Sequence, residues 1–118
     1  MLVVDDFDDT RELYAMALAS AGFEVAEAAN GEEALARIGT RRPAVVVMDL
    51  AMPVVDGWEA TRRIKMDPAT ASIFVIALTG HSTELGIEKA RGAGADAVVG
   101  KPCLPEDLIA LVRAHMPP

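Results

Sequence analysis

Cysteine is almost absent from this chain. Cys103 stands alone, so no internal disulfide can form, which suits a reducing compartment. Positive charge is scarce as well. Eleven Lys and Arg face eighteen Asp and Glu, a net charge of −7. Such a surface repels phosphate backbones, so direct nucleic-acid binding is not expected. No apolar run approaches the ~20 residues that span a bilayer. Met1 leads straight into Leu2-Val3-Val4 and then acids, without the basic stretch that opens a signal peptide. Repeats, low-complexity tracts and an interdomain linker are also missing. These absences lead to the expectation of a soluble, acidic, cytoplasmic protein that contacts neither membrane nor nucleic acid.

What is present is apolar and regularly punctuated. With 118 residues, of which 52% are hydrophobic and 25% charged, the chain is expected to fold as one domain over residues 1–118. A domain of that length buries about two-thirds of the surface its unfolded form exposes, and the composition argues against disorder. Short apolar runs alternate five times with amphipathic stretches. Met1 to Val4 reads as a strand ending at Asp5-Asp6. Asp8 to Ala21 carries Leu13, Met16, Ala17, Leu18 and Ala21 at helical spacing, with Gly22 as a stop signal. Phe23 to Ala28 reads as a weaker strand. Asn30 is the expected N-cap of a short helix opening at Gly31-Glu32-Glu33. Ala44 to Met48 is the most β-branched run and apolar throughout, as suits a strand covered on both faces. Then follow a helix over Asp56 to Met66, a strand over Ile73 to Leu78 and a helix over Thr83 to Gly92. A short strand over Ala97 to Val99 and a last helix over Pro105 to Met116 complete the pattern, Pro105 lying in the first turn. Strands alternating with helices predict right-handed crossovers and an α/β fold: a five-stranded parallel sheet with helices on both faces.

The chemistry collects at one edge of that sheet. Asp5 and Asp6 follow the first strand and Asp49 the third. Thr79 follows the fourth, and Lys101 lies two residues past the fifth. Each alone has a plainer explanation: an Asp after a strand caps a helix, a Thr makes a turn, a Lys is a solvated charge. Together they fall outside the carboxyl ends of parallel strands, where ligands bind in open α/β sheets. Three crowded carboxylates repel one another unless a cation joins them. Oxygen donors suit a hard divalent ion, Mg2+ before others. A carboxylate can also attack phosphorus to form an acyl phosphate. A metal ion and a lysine ammonium would then neutralise the phosphoryl oxygens.

With those residues in place, the sequence resembles the receiver domain of two-component response regulators, over nearly its whole length. The resemblance rests on Val3-Val4-Asp5-Asp6 and on Val46-Val47-Met48-Asp49-Leu50-Ala51-Met52-Pro53 followed by Asp56-Gly57. It rests further on Ala77-Leu78-Thr79-Gly80, and on Gly94-Ala95-Asp96 leading to Lys101-Pro102. It implies a (βα)5 flavodoxin-like fold with Asp49 as phosphoacceptor. Asp5, Asp6 and Asp49, with the backbone carbonyl of Ala51, would hold Mg2+. Thr79 would bind the phosphoryl group and reorient, Lys101 would pair with it, and Lys101–Pro102 would be a cis peptide. The implied donor is a sensor histidine kinase or a histidine phosphotransfer protein. The implied output surface, toward a partner or effector domain, covers residues 83–114. The implied role is signalling by a phosphoacceptor that assists its own phosphorylation and dephosphorylation, not ordinary enzymatic turnover. Gly57 falls in the tight loop after the acceptor strand, where positive φ is useful.

Two positions depart from the family pattern. Val98 stands where the family places Tyr or Phe, which puts the threonine–aromatic switch in question. Cys103 stands where Phe is frequent, and reads as a small buried hydrophobe. Two other functions remain open at this point. Asp6-Phe7-Asp8-Asp9-Thr10 spells the D-x-D-x-T opening of haloacid-dehalogenase-type phosphatases, with Asp6 as nucleophile and Asp8 as general acid. That reading lacks the late acidic metal pair, since Glu106 and Asp107 sit in a first helical turn. A pseudo-receiver that binds without being phosphorylated is the other alternative, with Val98 as its argument. His81 reads as a loop histidine, His115 as a cation at a helix C-terminus, and Trp58 and Met66 as packing residues.

Overall fold

Strand β3 (Val45–Asp49) is buried along its entire length, and its alternate residues serve two separate cores. Val46 and Met48 face one way, Val45 and Val47 the other, as the period-two geometry of a strand requires. A run with no polar partner residues therefore needs cover on both faces. The computed structural model describes residues 1–50, 57–79, 88, 91–100 and 103–115, and supplies that cover. The strands β1 (Leu2–Val4), β2 (Ala26–Ala28), β3, β4 (Phe74–Thr79) and β5 (Ala97–Gly100) form one parallel sheet in the order β2-β1-β3-β4-β5. Helices α2 (Gly31–Thr40) and α3 (Gly57–Met66) close one core, through Ala34, Ile38, Ala60 and Ile64 against Leu2, Val4, Val46, Met48 and Val75. Helices α1 (Asp8–Ser20) and α4 (Pro105–His115) close the other, through Tyr14, Leu18, Leu108 and Val112 against Val3, Val47, Ile76 and Leu78. The expected α/β fold is thus the observed one.

Local signals explain where the elements start and stop. Asn30 caps α2, its Oδ1 accepting from the Glu33 N–H at 2.8 Å. Gly22 adopts φ +99° just past α1, a conformation that favours glycine. The second strand is shorter than the expected Phe23 to Ala28. The Phe23 N–H bonds the Leu18 carbonyl at 3.2 Å, so it completes the end of α1 and is lost to the sheet. Phe23 and Val25 pack into the core beside α1. The fourth strand runs one residue later than expected, because pairing with β3 and β5 extends through Leu78 and Thr79. Of the helix expected over Thr83 to Gly92, only Glu88, Arg91 and Gly92 are among the described residues, and all three are helical. Asp56 and Met116, expected at helix ends, lie outside the described residues. No helix among those described is long and apolar enough to cross a membrane.

The start of β5 is anchored by a short polar network. The Asp96 N–H donates to the Val75 carbonyl at 2.9 Å, and Asp96 Oδ2 accepts from the Val75 N–H at 2.8 Å. Lys65 of α3 reaches the same carboxylate at 2.6 Å. Gly94, at φ +103°, leaves room for the Lys65 stem. This arrangement holds β5 in register with β4 at its entry, and so sets where the chain leaves the sheet at Gly100.

Candidate functional site

Sheet register brings the acids together. Val4 of β1 pairs with Met48 of β3, so the next residues, Asp5 and Asp49, emerge side by side from adjacent strands, which lie about 4.8 Å apart. On the other side of β3, Asp49 pairs with Leu78, so Thr79 follows one step on. Thr79 in turn pairs with Gly100, the residue before Lys101 in the chain. Carboxylate oxygens of Asp5, Asp6 and Asp49 all lie within 4.8 Å of one another. Asp5 is 2% exposed, Asp49 3% and Thr79 3%, while Asp6 is exposed. The expected convergence of Asp5, Asp6 and Asp49 is therefore observed, and Thr79 ends β4 at the same edge of the sheet. Ala51, Lys101, the Lys101–Pro102 peptide and His81 lie outside the described residues.

Two buried carboxylates and one exposed one form an oxygen-only donor set open to solvent on one side. That chemistry fits a hard divalent ion such as Mg2+, which retains water on its outer face, and does not fit a thiophilic metal. The backbone holds the acids in place. Asp5 Oδ1 accepts from the Phe7 N–H at 2.9 Å, so this carboxylate also supports the start of α1. The Asp5 N–H donates to the Ala28 carbonyl at 3.1 Å.

Arg11 was not singled out from the sequence. Its Nη1 donates to the Asp5 carbonyl at 3.1 Å, and its guanidinium pairs with Asp8 at 2.7 Å and Glu27 at 3.2 Å. A cation only 13% exposed thus lies against the backbone of the acidic cluster. The Asp8–Arg11 spacing of three on one helix was the available signal. Tyr14 was likewise missed: its hydroxyl donates to the Cys103 carbonyl at 2.8 Å, tying α1 to the start of α4 across the sequence. No local pattern announces a bond between residues so distant in sequence.

Gly57 has a different role from the one expected. It does not have positive φ; that conformation is found at Gly22 and Gly94 among the described residues. It opens α3 against the end of β3, its N–H donating to the Leu50 carbonyl at 3.2 Å. A Cβ there would lie 2.5 Å from Leu50 Cα, and would also collide with the Asp49 carbonyl oxygen. The requirement is close approach, not handedness. Cys103 is buried, as expected, and burial raises its thiol pKa, with the Asp107 charge adding to the effect. The thiol stays protonated near neutrality, which is the behaviour of a packing residue. His115 does more than complement a helix end: its ring stacks on Phe74 at 4.0 Å between centroids. Met66 is 70% exposed and packs little.

The phosphatase alternative finds no support in this geometry. Asp8, its general acid, is 73% exposed and paired with Arg11, and Asp6 is the exposed member of the cluster. The two buried members of the cluster are Asp5 and Asp49. The pseudo-receiver alternative gains nothing either, since Asp5, Asp6, Asp49 and Thr79 are all present and assembled.

Comparison with known proteins identifies the family. The family described as "Response regulator receiver domain" matches residues 1–113. The phosphate regulon transcriptional regulatory protein PhoB of Pseudomonas aeruginosa is 38% identical over 114 residues, covering 97% of this chain and 50% of PhoB. This chain therefore spans half the length of that relative. Protein PilG of the same organism is 32% identical, over 99% of this chain and 87% of its own. Among solved structures, the chemotaxis protein CheY4 of Vibrio cholerae superposes with a TM-score of 0.91 at 30% identity, covering 98% of this chain and 96% of CheY4. Five parallel strands with helices on both faces, acids assembled at the carboxyl edge and a family match along almost the whole chain lead to one assignment: the chain belongs to the response regulator receiver domains of two-component signalling.

Proposed function

We propose that residues 1–118 act as one phosphoacceptor unit and that Asp49 receives a phosphoryl group from a phosphohistidine on a sensor kinase or histidine phosphotransfer protein. The observation that carries this reading is the burial of Asp49 within a cluster of three carboxylates at the edge of a parallel sheet. A carboxylate oxygen of Asp49 attacks phosphorus, the bond from phosphorus to the donor imidazole nitrogen breaks, and the imidazole leaves with the electron pair and is reprotonated. Asp5, Asp6 and Asp49, with the Ala51 carbonyl, would hold Mg2+, which when bound supplies positive charge against the phosphoryl oxygens. The Thr79 hydroxyl donates to one of those oxygens, and the Lys101 ammonium pairs with another. Burial of Asp49 and Thr79 keeps bulk water away from the attacking oxygen. Arg11 offsets the negative charge behind Asp5 through its hold on the Asp5 carbonyl.

The output passes through residues 83–114 to a partner protein or effector domain. PhoB, a transcriptional regulatory protein, is matched over half its length, which leaves room for such an effector unit in a relative. The net charge of −7 argues that any DNA contact belongs to that second unit and not to this one. The proposed setting is cytoplasmic, in keeping with a histidine kinase donor.

The acceptor is tested with acetyl phosphate and Mg2+, followed by borohydride reduction and mass spectrometry. Modification is expected at Asp49 alone, and Asp49→Asn abolishes it. Label on Asp6, or undiminished label in Asp49→Asn, overturns the assignment.

A further inference from the structure

A third apolar cluster lies beside the site, apart from the two main cores. Leu50, the residue after Asp49, and Ala77, two residues before Thr79, are buried at its centre. Trp58, Ala95 and Val98 pack around them. Trp58 is the chain's single tryptophan and the one aromatic ring of this cluster among the described residues. It is joined to the residue that follows β3 twice over. Its ring packs on the Leu50–Ala77 pair, and its neighbour Gly57 bonds the Leu50 carbonyl and lies too close to the Asp49–Leu50 backbone to admit a Cβ. On the far side of the cluster, Val98 pairs in the sheet with Ala77.

A packed group of this kind transmits displacement, because interiors at crystal-like density have no slack to absorb it. Charge placed on Asp49 acts on the backbone at Leu50 and, through Gly57, on the first turn of α3. A rigid indole lying over Leu50 and Ala77 then has to follow. Val98 is too short and has too few rotamers to make such a movement itself. We propose that Trp58 is the positioning residue that couples the state of Asp49 to the β5 edge, the moving ring being supplied by α3 and not by β5. The proposal rests on Asp49 being the phosphoacceptor.

The experiment compares wild type, Trp58→Leu, Trp58→Phe and the double variant Trp58→Leu/Val98→Tyr. In each, Asp49 modification by acetyl phosphate is scored by mass, and the amide NMR shifts of Ala97–Gly100 are recorded with and without beryllofluoride and Mg2+. Wild type is expected to take up the phosphoryl group, change its tryptophan emission and shift its β5 amides. Trp58→Leu is expected to be modified normally while its β5 shifts shrink at least about threefold, the loss of a differential interaction between two states. The double variant, with a ring returned from the other side of the cluster, is expected to recover most of the response. Full β5 shifts in Trp58→Leu overturn the proposal. A reduced response that the double variant does not recover also overturns it, since the loss is then one of packing. If Trp58→Leu does not fold, Trp58→Phe and wild-type emission decide. Unchanged emission, or β5 shifts in Trp58→Phe that vanish although a ring remains, count against the coupling. Absence of Asp49 modification in wild type instead marks the failure of the acceptor assignment, whatever the amides do.

Discussion

At Gly57 the space for one methyl group decides whether α3 can start against the end of β3. A Cβ would meet Leu50 Cα at 2.5 Å and the Asp49 carbonyl carbon at 2.8 Å, and these are backbone atoms that cannot swing aside. Gly57→Ala is expected to destabilise the fold by about 3 kcal/mol, as overpacking does, and to slow modification of Asp49. Chemical denaturation and acetyl phosphate kinetics check the two effects. Thr61 presents the opposite situation. Its side chain is completely buried in α3, and its hydroxyl has no hydrogen-bond partner among the described residues. Thr61→Val removes the orphan at nearly constant shape. It is expected to stabilise the protein by about 1 kcal/mol, raising Tm by about 4 °C. A lower Tm would show that the hydroxyl is satisfied in solution. The need for glycine at position 57 was legible in the sequence, but its reason was not: spacing suggests a tight turn, while a collision with the backbone at the end of β3 exists only after folding.

Between elements, the strongest case is the link from α1 to α4. Tyr14 and Cys103 stand 89 residues apart, yet the phenol donates to the Cys103 carbonyl in a buried setting. Tyr14→Phe leaves that carbonyl without its donor and is expected to cost about 1 kcal/mol, seen as a lower denaturation midpoint with an unchanged slope. The same change loosens the approach to α4 immediately after Lys101-Pro102, so the effect is expected to extend to the rate of Asp49 modification. The helices themselves were largely readable in advance. Asn30 as a cap, Gly22 as a stop and Pro105 in a first turn each act within a few residues. The second strand was overestimated because the Phe23 amide serves the end of α1, a choice that hydrophobic alternation does not encode.

Across the whole molecule, the dominant tension is the set of acids gathered at one edge of the sheet. Asp5, Asp6 and Asp49 converge within 4.8 Å, and mutual repulsion opposes folding while no cation is bound. An ion that binds only the folded state stabilises it by about 1.4 kcal/mol at ten times its Kd. Melting in EDTA and then in millimolar Mg2+ is expected to show a rise in Tm of about 5 °C. A variant lacking both Asp5 and Asp6 loses that rise. An equal rise in the variant would place the ion elsewhere.

The sequence by itself determined the α/β class, the alternation of strands and helices, and the identity of the acids and the threonine at the strand ends. These depend on periodicity and punctuation, which are local. Tertiary structure alone decided which residues meet. The pairing of Val4 with Met48 brings Asp5 level with Asp49, Arg11 comes to rest against the Asp5 backbone, and Trp58 joins Leu50 and Ala77 in a cluster beside the site. Strand order and register set those meetings. Both arise from the competition of all strands and helices for the same two cores, so no single segment of the chain carries them.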